Sequence, residues 1–236
     1  MTLTLALTAL ALRAAPAQTP QSPDARPGIA VLDYDIGMVF GQDREDYDAL
    51  RRGLASLTIT ELSSNPAIRV VERSQLQQIL QEQNLGHEGR IDEATQSRIG
   101  RLVGARYMIT GTLFDNRGDV RVDTRIFDTE TGVILRTQSV RGHMTDLFEM
   151  LPRLAQQLMH DANLPPLDRH AEADFRQQNP APPTQAVMAF SRAVLYADRG
   201  ETSRAVEQYK RALAVFPQYT QARTDCNRLQ AGACSS

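Results

Sequence analysis

The sequence predicts an α/β domain with a mixed β-sheet covered by helices, followed by a small α-helical hairpin. Three observations predict this architecture. Short apolar runs alternate with amphipathic helical patterns from residue 28 to residue 104. Between residues 107 and 140 the apolar period shortens from about 3.6 residues to two, which is typical of antiparallel strands with one wet face. A proline-rich stretch follows, and the helical period returns beyond it.

The N-terminal residues have the character of a targeting segment. Thr2–Leu12 is apolar but too short to span a membrane as a helix, and Ala15-Pro16-Ala17 matches the small-x-small site that a signal peptidase cleaves. We expect a signal peptide over residues 1–17, cleavage just before Gln18 and a flexible leader over residues 18–27. The alternative is a short amphipathic helix of the mature fold. No cysteine follows the apolar run, so we expect no lipoprotein anchor.

A strand and a helix are predicted first in the domain. Ile29–Asp33 is a short apolar run after Gly28, which is typical of a buried strand. The helix that follows has one apolar face, formed by Tyr47, Leu50, Leu54 and Leu57. Asn65-Pro66 ends this helix, because proline disfavours helical geometry in the residue before it.

A second strand and two more helices are predicted next. Residues 68–71 form a short apolar run. Ser74 and Gln77 have the spacing of a capping box and open a helix. Asp92 is positioned to cap a third helix, and Gly104 ends it.

The second half of the domain predicts an antiparallel meander and a closing helix. Strands are predicted at 107–114, 120–126 and 133–140, with turns at 115–118 and 128–132. An amphipathic helix from Leu147 to Leu158 follows. The predicted element order is β-α-β-α-α-β-β-β-α. We therefore place the α/β domain at residues 28–164, a proline-rich linker at 165–185 and a helical segment at 186–230.

The α/β domain resembles the CsgG family, the curli production assembly/transport component. The matching stretches are IAVLDYD (29–35), VVERSQLQQILQEQ (70–83), GARYMITGTL (104–113) and FDTETGVIL (127–135), in the family's order. The resemblance assigns signature positions to Asp33, Glu72, Arg73, Leu76, Gly111, Thr131 and Gly132. It implies a periplasmic, non-enzymatic domain that self-associates or docks on envelope partners.

This chain departs from the channel-forming member of that family. That member inserts two long amphipathic hairpins per subunit into the outer membrane. The corresponding places here hold only residues 115–119 and 141–146, whereas a transmembrane strand needs about 9–11 residues. We therefore expect the membrane-spanning hairpins to be missing.

The C-terminal segment resembles a tetratricopeptide-type repeat. The matching residues are Ala193, Tyr196, Gly200, Ala205, Tyr209, Ala212, Leu213 and Pro217. The alternative is a generic helical hairpin. Because a single repeat is too short to be stable alone, we expect it to pack on another chain or on its own α/β domain, and to carry the choice of partner.

Composition and spacing argue against several other classes of function. Lys and Arg number 26 against 28 Asp and Glu, a balance that disfavours a nucleic-acid-binding role. No apolar stretch reaches the about 20 residues of a membrane-spanning helix. The four histidines are dispersed, and no phosphate-binding loop or nucleophile elbow is present. We therefore expect no enzyme activity, no metal and no cofactor.

Two pairs of polar residues are ambiguous in the sequence. Asp33 and Asp35 follow the first strand, where a carboxylate pair can hold Mg²⁺ or act as acid and base; we favour a solvated strand end. Cys226 and Cys234 are the only cysteines, and they either form a disulfide after export or are incidental thiols.

Two functional hypotheses follow from these features. The first is an exported, non-enzymatic protein–protein interaction and assembly module of the periplasm, with or without association with the outer membrane, and with protein partners in the envelope. The second is a component of a curli-type secretion or transport complex that acts as an oligomeric periplasmic ring. The two differ in stoichiometry, since the second requires a homo-oligomer.

The signal peptide generates a first prediction. When the full chain is expressed in a diderm bacterium, the mature protein should start near Gln18 and fractionate outside the inner membrane. N-terminal sequencing and cell fractionation test this, with Ala15→Lys and Ala17→Lys as a variant in which the cleavage site is destroyed. Unprocessed wild-type protein in the cytoplasm would contradict the prediction.

Overall fold

The structure is a computed structural model that describes residues 26–41, 43–83, 92–165, 169–178 and 180–235. The predicted signal peptide and residues 18–25 of the leader lie outside the described residues. No helix in these ranges is long and apolar enough to cross a membrane.

The described residues form a mixed α/β fold, which confirms the predicted fold class. The strands are β1 (Gly28–Val31), β2 (Asp35–Phe40), β3 (Arg69–Val70), β4 (Tyr107–Asn116), β5 (Asp119–Asp128) and β6 (Ile134–His143). The helices are α1 (Arg44–Ser63), α2 (Arg73–Glu82), α3 (Glu93–Leu102), α4 (Leu147–Asp161), α5 (Arg169–Gln178), α6 (Thr184–Asp198), α7 (Thr202–Val215) and α8 (Thr220–Leu229). A short 3-10 turn over Met144–Asp146 precedes α4.

The strands form one sheet in the order β3-β1-β4-β5-β6. β1 and β2 both pair in parallel with β4, one after the other along the same edge. β4, β5 and β6 are antiparallel. The β4–β5 connection consists of Arg117 and Gly118, whose φ angles of 56° and 98° suit the tight turn that a twisted hairpin requires.

Helices cover the two faces of this sheet unequally. α1 and α4 pack on one face, where Leu54, Leu113 and Leu154 are fully buried. α2 and α3 pack on the other face, but only around β1, the start of β4 and Phe127. The remainder of that face, on β4, β5 and β6, is left open by the described helices.

Three local predictions need comment. The strand β2 was missed, because DIGMVF lacks strict alternation and its pairing with β4 is interrupted by a bulge between Ile36 and Val39. The capping box at Ser74 is wrong, since α2 already begins at Arg73. The cap at Asp92 is confirmed, because its Oδ1 accepts a hydrogen bond from the Thr95 N–H at 2.9 Å.

The predicted linker over residues 165–185 is not uniformly irregular. It contains α5, and α6 begins at Thr184 within its last residues. The physical reason is that most residues of Arg169–Gln178 (RHAEADFRQQ) are good helix formers (Arg, Ala, Glu and Gln), and they stand between two groups of prolines. The prolines therefore bound a helix instead of extending the whole segment.

The C-terminal helices pack on the α/β domain of the same chain. α6 and α7 form a hairpin, and α6 crosses the outer side of α1. A Cβ built on Gly53 of α1 would lie 1.8 Å from the Ser191 Oγ of α6, so only glycine fits at this crossing. Arg192 binds Asp46 at 2.6 Å and Arg199 binds Glu45 at 3.2 Å across the same interface.

The crossing generates a stability prediction. Gly53→Leu should lower the free energy of unfolding by about 1–3 kcal/mol, because α6 must move away from α1 to admit the side chain. Ser191→Ala is the matched control, and it should be neutral or stabilising because the Ser191 hydroxyl is buried without a hydrogen-bond partner. Urea denaturation measures both; equal stability of Gly53→Leu and wild type would contradict the packing described.

Candidate interaction site

A cluster of four charged side chains joins the C-terminal helices to the α/β domain. Arg73, at the start of α2, binds Asp33 through two hydrogen bonds of 3.0 Å. The same guanidinium binds Asp198, the last residue of α6, at 2.7 and 3.1 Å. Arg52 of α1 donates to Asp198 at 2.8 Å. The two arginines and two aspartates balance in charge.

Partial burial strengthens the electrostatic attraction between these four side chains. The four side chains are between 13% and 23% exposed. Burial alone would raise the pKa of Asp198, but Arg73 and Arg52 more than offset this and hold the pKa below its ordinary value. Burial likewise disfavours the charged form of Arg73, and the charges of Asp33 and Asp198 outweigh it, so the pKa of Arg73 is raised. Asp198 and Arg73 are therefore both charged at neutral pH.

The structure corrects our interpretation of the acidic pair. Asp33 is not a solvated strand end, since it is the bidentate partner of Arg73. Asp35 lies apart from it, on β2. The two signature positions Asp33 and Arg73 are thus brought together, and the chain adds Asp198 from outside the domain. Sequence reasoning missed Asp198 and Arg52, because no spacing rule relates residues so distant along the chain.

The other signature residues have structural roles. Glu72 directly precedes α2, and Leu76 is a residue of α2 whose side chain is buried. Gly111 lies against the Tyr34 ring, which a Cβ would reach at 2.3 Å. Thr131 and Gly132 form the β5–β6 turn; the Thr131 N–H donates to Asp128 at 3.0 Å, and Gly132 has a φ of 71°.

The residues of the predicted repeat build the interior of the C-terminal helices. Those buried between the helices are Ala193, Tyr196, Ala205, Tyr209 and Ala212. Leu213 is partly buried beside them. Gly200 ends α6 with a φ of 73°, and Pro217 follows α7. This is a helical hairpin docked on its own α/β domain; that it is a tetratricopeptide repeat stays a prediction.

A disulfide closes the end of the chain. The structure joins Cys226 of α8 to Cys234. Cys226 is fully buried in the same apolar cluster as Phe190 and Tyr219. The bond therefore ties the tail after α8 to the packed interior.

A cleft of about 250 Å³ lies where α1 and α2 meet α6, α7 and α8. Asp225 of α8 lines it, and burial, with a smaller contribution from Glu72, raises the pKa of Asp225 to about 6. Arg228 is its ion-pair partner at 3.2 Å, but this arginine is 55% exposed. Asp225 therefore differs from Asp198, since its charge is poorly compensated.

The open part of the sheet presents arginines. Nine side chains of the three antiparallel strands point to the sheet face opposite α1 and α4. They are Thr110, Thr112 and Phe114 on β4, Arg121, Asp123 and Arg125 on β5, and Thr137, Ser139 and Arg141 on β6. Arg121 stacks on Phe114 at 4.5 Å and binds Asp123 at 2.9 Å. Arg125 and Arg141 are exposed, and within the described part of the chain neither has an ion-pair or hydrogen-bond partner.

Two sheet edges are also open among the described strands. β2 pairs only with β4, and its Met38 and Phe40 side chains are 69% and 53% exposed. A groove of about 790 Å³ runs between β2 and the start of α1. At the opposite end of the sheet, β6 pairs only with β5. In the described ranges, no group of three or more His, Cys, Asp or Glu residues could hold a metal ion.

The comparisons with known proteins agree with the sequence resemblance in part. Residues 11–116 match the CsgG family model, described as the curli production assembly/transport component. This match includes the signature positions Asp33, Glu72, Arg73, Leu76 and Gly111. No curated protein matches the chain.

Several solved structures are similar to part of this chain. The LpoB C-terminal domain from Escherichia coli is 17% identical, with 49% of this chain and 82% of that chain covered and a TM-score of 0.38. Lipoprotein GNA1162 from Neisseria meningitidis is 13% identical, with 49% and 79% covered and a TM-score of 0.39. The PelC dodecamer from Paraburkholderia phytofirmans is 14% identical, with 58% and 87% covered and a TM-score of 0.34.

Asp198 and Asp225 generate opposite stability predictions. Asp198→Asn should lower the free energy of unfolding at pH 7.5 by about 2–3 kcal/mol, because it leaves Arg73 and Arg52 with too little negative charge. Since the folded pKa of Asp198 is depressed, its contribution is present above its ordinary value of 3.8 and is lost as the pH falls further.

Asp225→Asn is the matched comparison. Because the folded pKa of Asp225 is raised to about 6, its carboxylate destabilises the fold progressively as the pH rises from 3.8 through 6. Asp225→Asn should therefore raise the free energy of unfolding at pH 7.5 by about 1–2 kcal/mol and leave it unchanged near pH 3. Chemical denaturation across this pH range measures both variants. Equal pH profiles for the two would contradict the charge balance described.

Proposed function

We propose that this protein is an exported, non-enzymatic interaction and assembly module that works in the periplasm, on protein partners in the cell envelope. The observation that carries the proposal is the uneven covering of the sheet. α1 and α4 cover one face, while α2 and α3 leave most of the outer face of β4–β6 open. Open polar faces and strand edges are surfaces to which other proteins bind.

The position of the C-terminal helices supports this proposal. α6 covers the outer side of α1, and the Arg73 cluster holds it there. The hairpin thus occupies a helix surface of the α/β domain and leaves the β2 edge and the β6 edge available. We therefore expect partners to bind the sheet and not the hairpin. The match to the CsgG family model supports the location in the envelope.

Site-specific photocrosslinking in cells tests the function. A photoreactive amino acid at Met38 on β2, or at Ser139 on β6, should crosslink the protein to other envelope proteins. The same amino acid at Ser203, an exposed residue of α7, is the control and should give no such product. Equal crosslinking at all three positions, or none at any of them, would contradict an interaction role of the sheet.

Light scattering on the mature protein addresses the alternative role in a secretion complex. A ring of eight or more subunits would favour the oligomeric transport component, and a monomer or dimer favours the interaction module. The crosslinked products add a second criterion, because a ring would give products between copies of this chain.

A further inference from the structure

We propose that the free edge of β6 binds an extended acidic segment of a partner protein, which joins the sheet as an additional strand. This inference rests on the proposed function and specifies the chemistry of the partner.

The geometry of β6 suits strand addition. β6 contains ten residues and pairs with β5 along most of its length, so its backbone is already extended. No other described strand pairs with its second edge. A long free edge presents regularly spaced backbone donors and acceptors, which a partner strand can satisfy. β6 is neither short nor interrupted by proline, which are two of the ways in which natural proteins protect such an edge. Its arginines would repel a basic strand and admit an acidic one.

The charges of β6 specify an acidic partner. The strand ILRTQSVRGH contains Arg136 and Arg141 and no carboxylate. Its His143 already has a partner, since the His143 Nδ1 lies 3.0 Å from Asp119 Oδ1 of β5. Arg141 lies directly opposite Arg121 of β5 in the register. Like charges in directly opposed positions are unfavourable in a sheet. Arg121 is held by Asp123, but its Nε is buried with no hydrogen-bond partner, and Arg141 has no partner in the described part of the chain. A carboxylate on a strand added beside β6 would lie next to Arg141 and give it an ion-pair partner.

Other anionic or self-complementary occupants fit less well. A second copy would have to bring one of its own open edges, either β2, whose sequence DIGMVF contains a single carboxylate, or β6, which contains none. An anionic membrane surface would favour apolar side chains beside the arginines. The most exposed large apolar side chain of the described residues, Met38, instead lies on β2, and the exposed Val133 and Ile134 lie at the other end of β6 from Arg141. The outward residues of β6 between its arginines are Thr137 and Ser139, which suit a polar polypeptide.

A designed peptide can test this inference on the full mature chain. The probe is a fluorescent ten-residue peptide of alternating Glu and Thr, and its counterpart of alternating Lys and Thr is the control. The Glu peptide should bind in fluorescence anisotropy, weaken as salt is added, and protect β6 amides from hydrogen exchange. Arg141→Glu should weaken its binding about tenfold, and Arg125→Glu should have a similar effect.

A matched variant controls for net charge. Arg153→Glu makes the same charge change at an exposed position on α4, which packs on the other face of the sheet, and it should bind the Glu peptide like wild type. Circular dichroism checks that all three variants are folded. Equal binding of the two peptides, no protection of β6, or equal weakening by Arg153→Glu would overturn the proposal.

Two further outcomes would assign the edge to another occupant and so overturn the proposal. One is Arg141-dependent sedimentation with phosphatidylglycerol vesicles when the Glu peptide does not bind. The other is a dimer that Arg141→Glu dissociates. Photocrosslinking at Met38 separates this inference from the proposed function, because the β2 products do not depend on Arg141. Loss of peptide binding with retained β2 products would reject the acidic-strand inference alone.

Discussion

The position of Arg73 between Asp33 and Asp198 is the constraint on which the rest of the structure depends. A guanidinium at the start of α2 cannot be buried without negative charge beside it. Asp33 supplies one carboxylate from the end of the first strand, and Asp198 supplies the second from α6. The α/β domain and the C-terminal helices therefore share one charge-balanced junction. Its loss would leave buried arginines on one side and an unanchored hairpin on the other.

This junction also determines which surfaces are available. Because α6 is held along α1, the helical hairpin covers a helix and not the sheet. The ion pairs of Arg192 and Arg199 with the first turn of α1 extend the contact toward β2. The outer face of β4–β6 remains open as a result. Its arginines, its β6 edge and the groove beside β2 are the surfaces on which an assembly role would act.

Much of the α/β domain was predictable from local patterns. The apolar period of two residues predicted β4, β5 and β6, and the capping residue Asp92 predicted the start of α3. β2 was missed because its bulge breaks the alternation on which strand prediction depends. The helix α5 was missed because proline content was given more weight than the ten residues between the prolines. The site was less predictable. The resemblance marked Asp33 and Arg73, but their third partner is 125 residues away from Arg73, and no periodicity connects such positions.

The distance along the chain between Arg73 and its two partners implies an order of events as the polypeptide emerges. Asp33 is 40 residues from Arg73, so this pair can form once the first two strands and α2 are available. Asp198 arrives only after the whole sheet has been made, and closing so long a loop costs more conformational entropy. Before α6 is made, the guanidinium of Arg73 is paired with Asp33 but not with Asp198. It is therefore available to bind Asp198 when α6 docks. The tail that follows is tied to α8 by the disulfide between Cys226 and Cys234, a bond of the kind that persists in oxidising compartments.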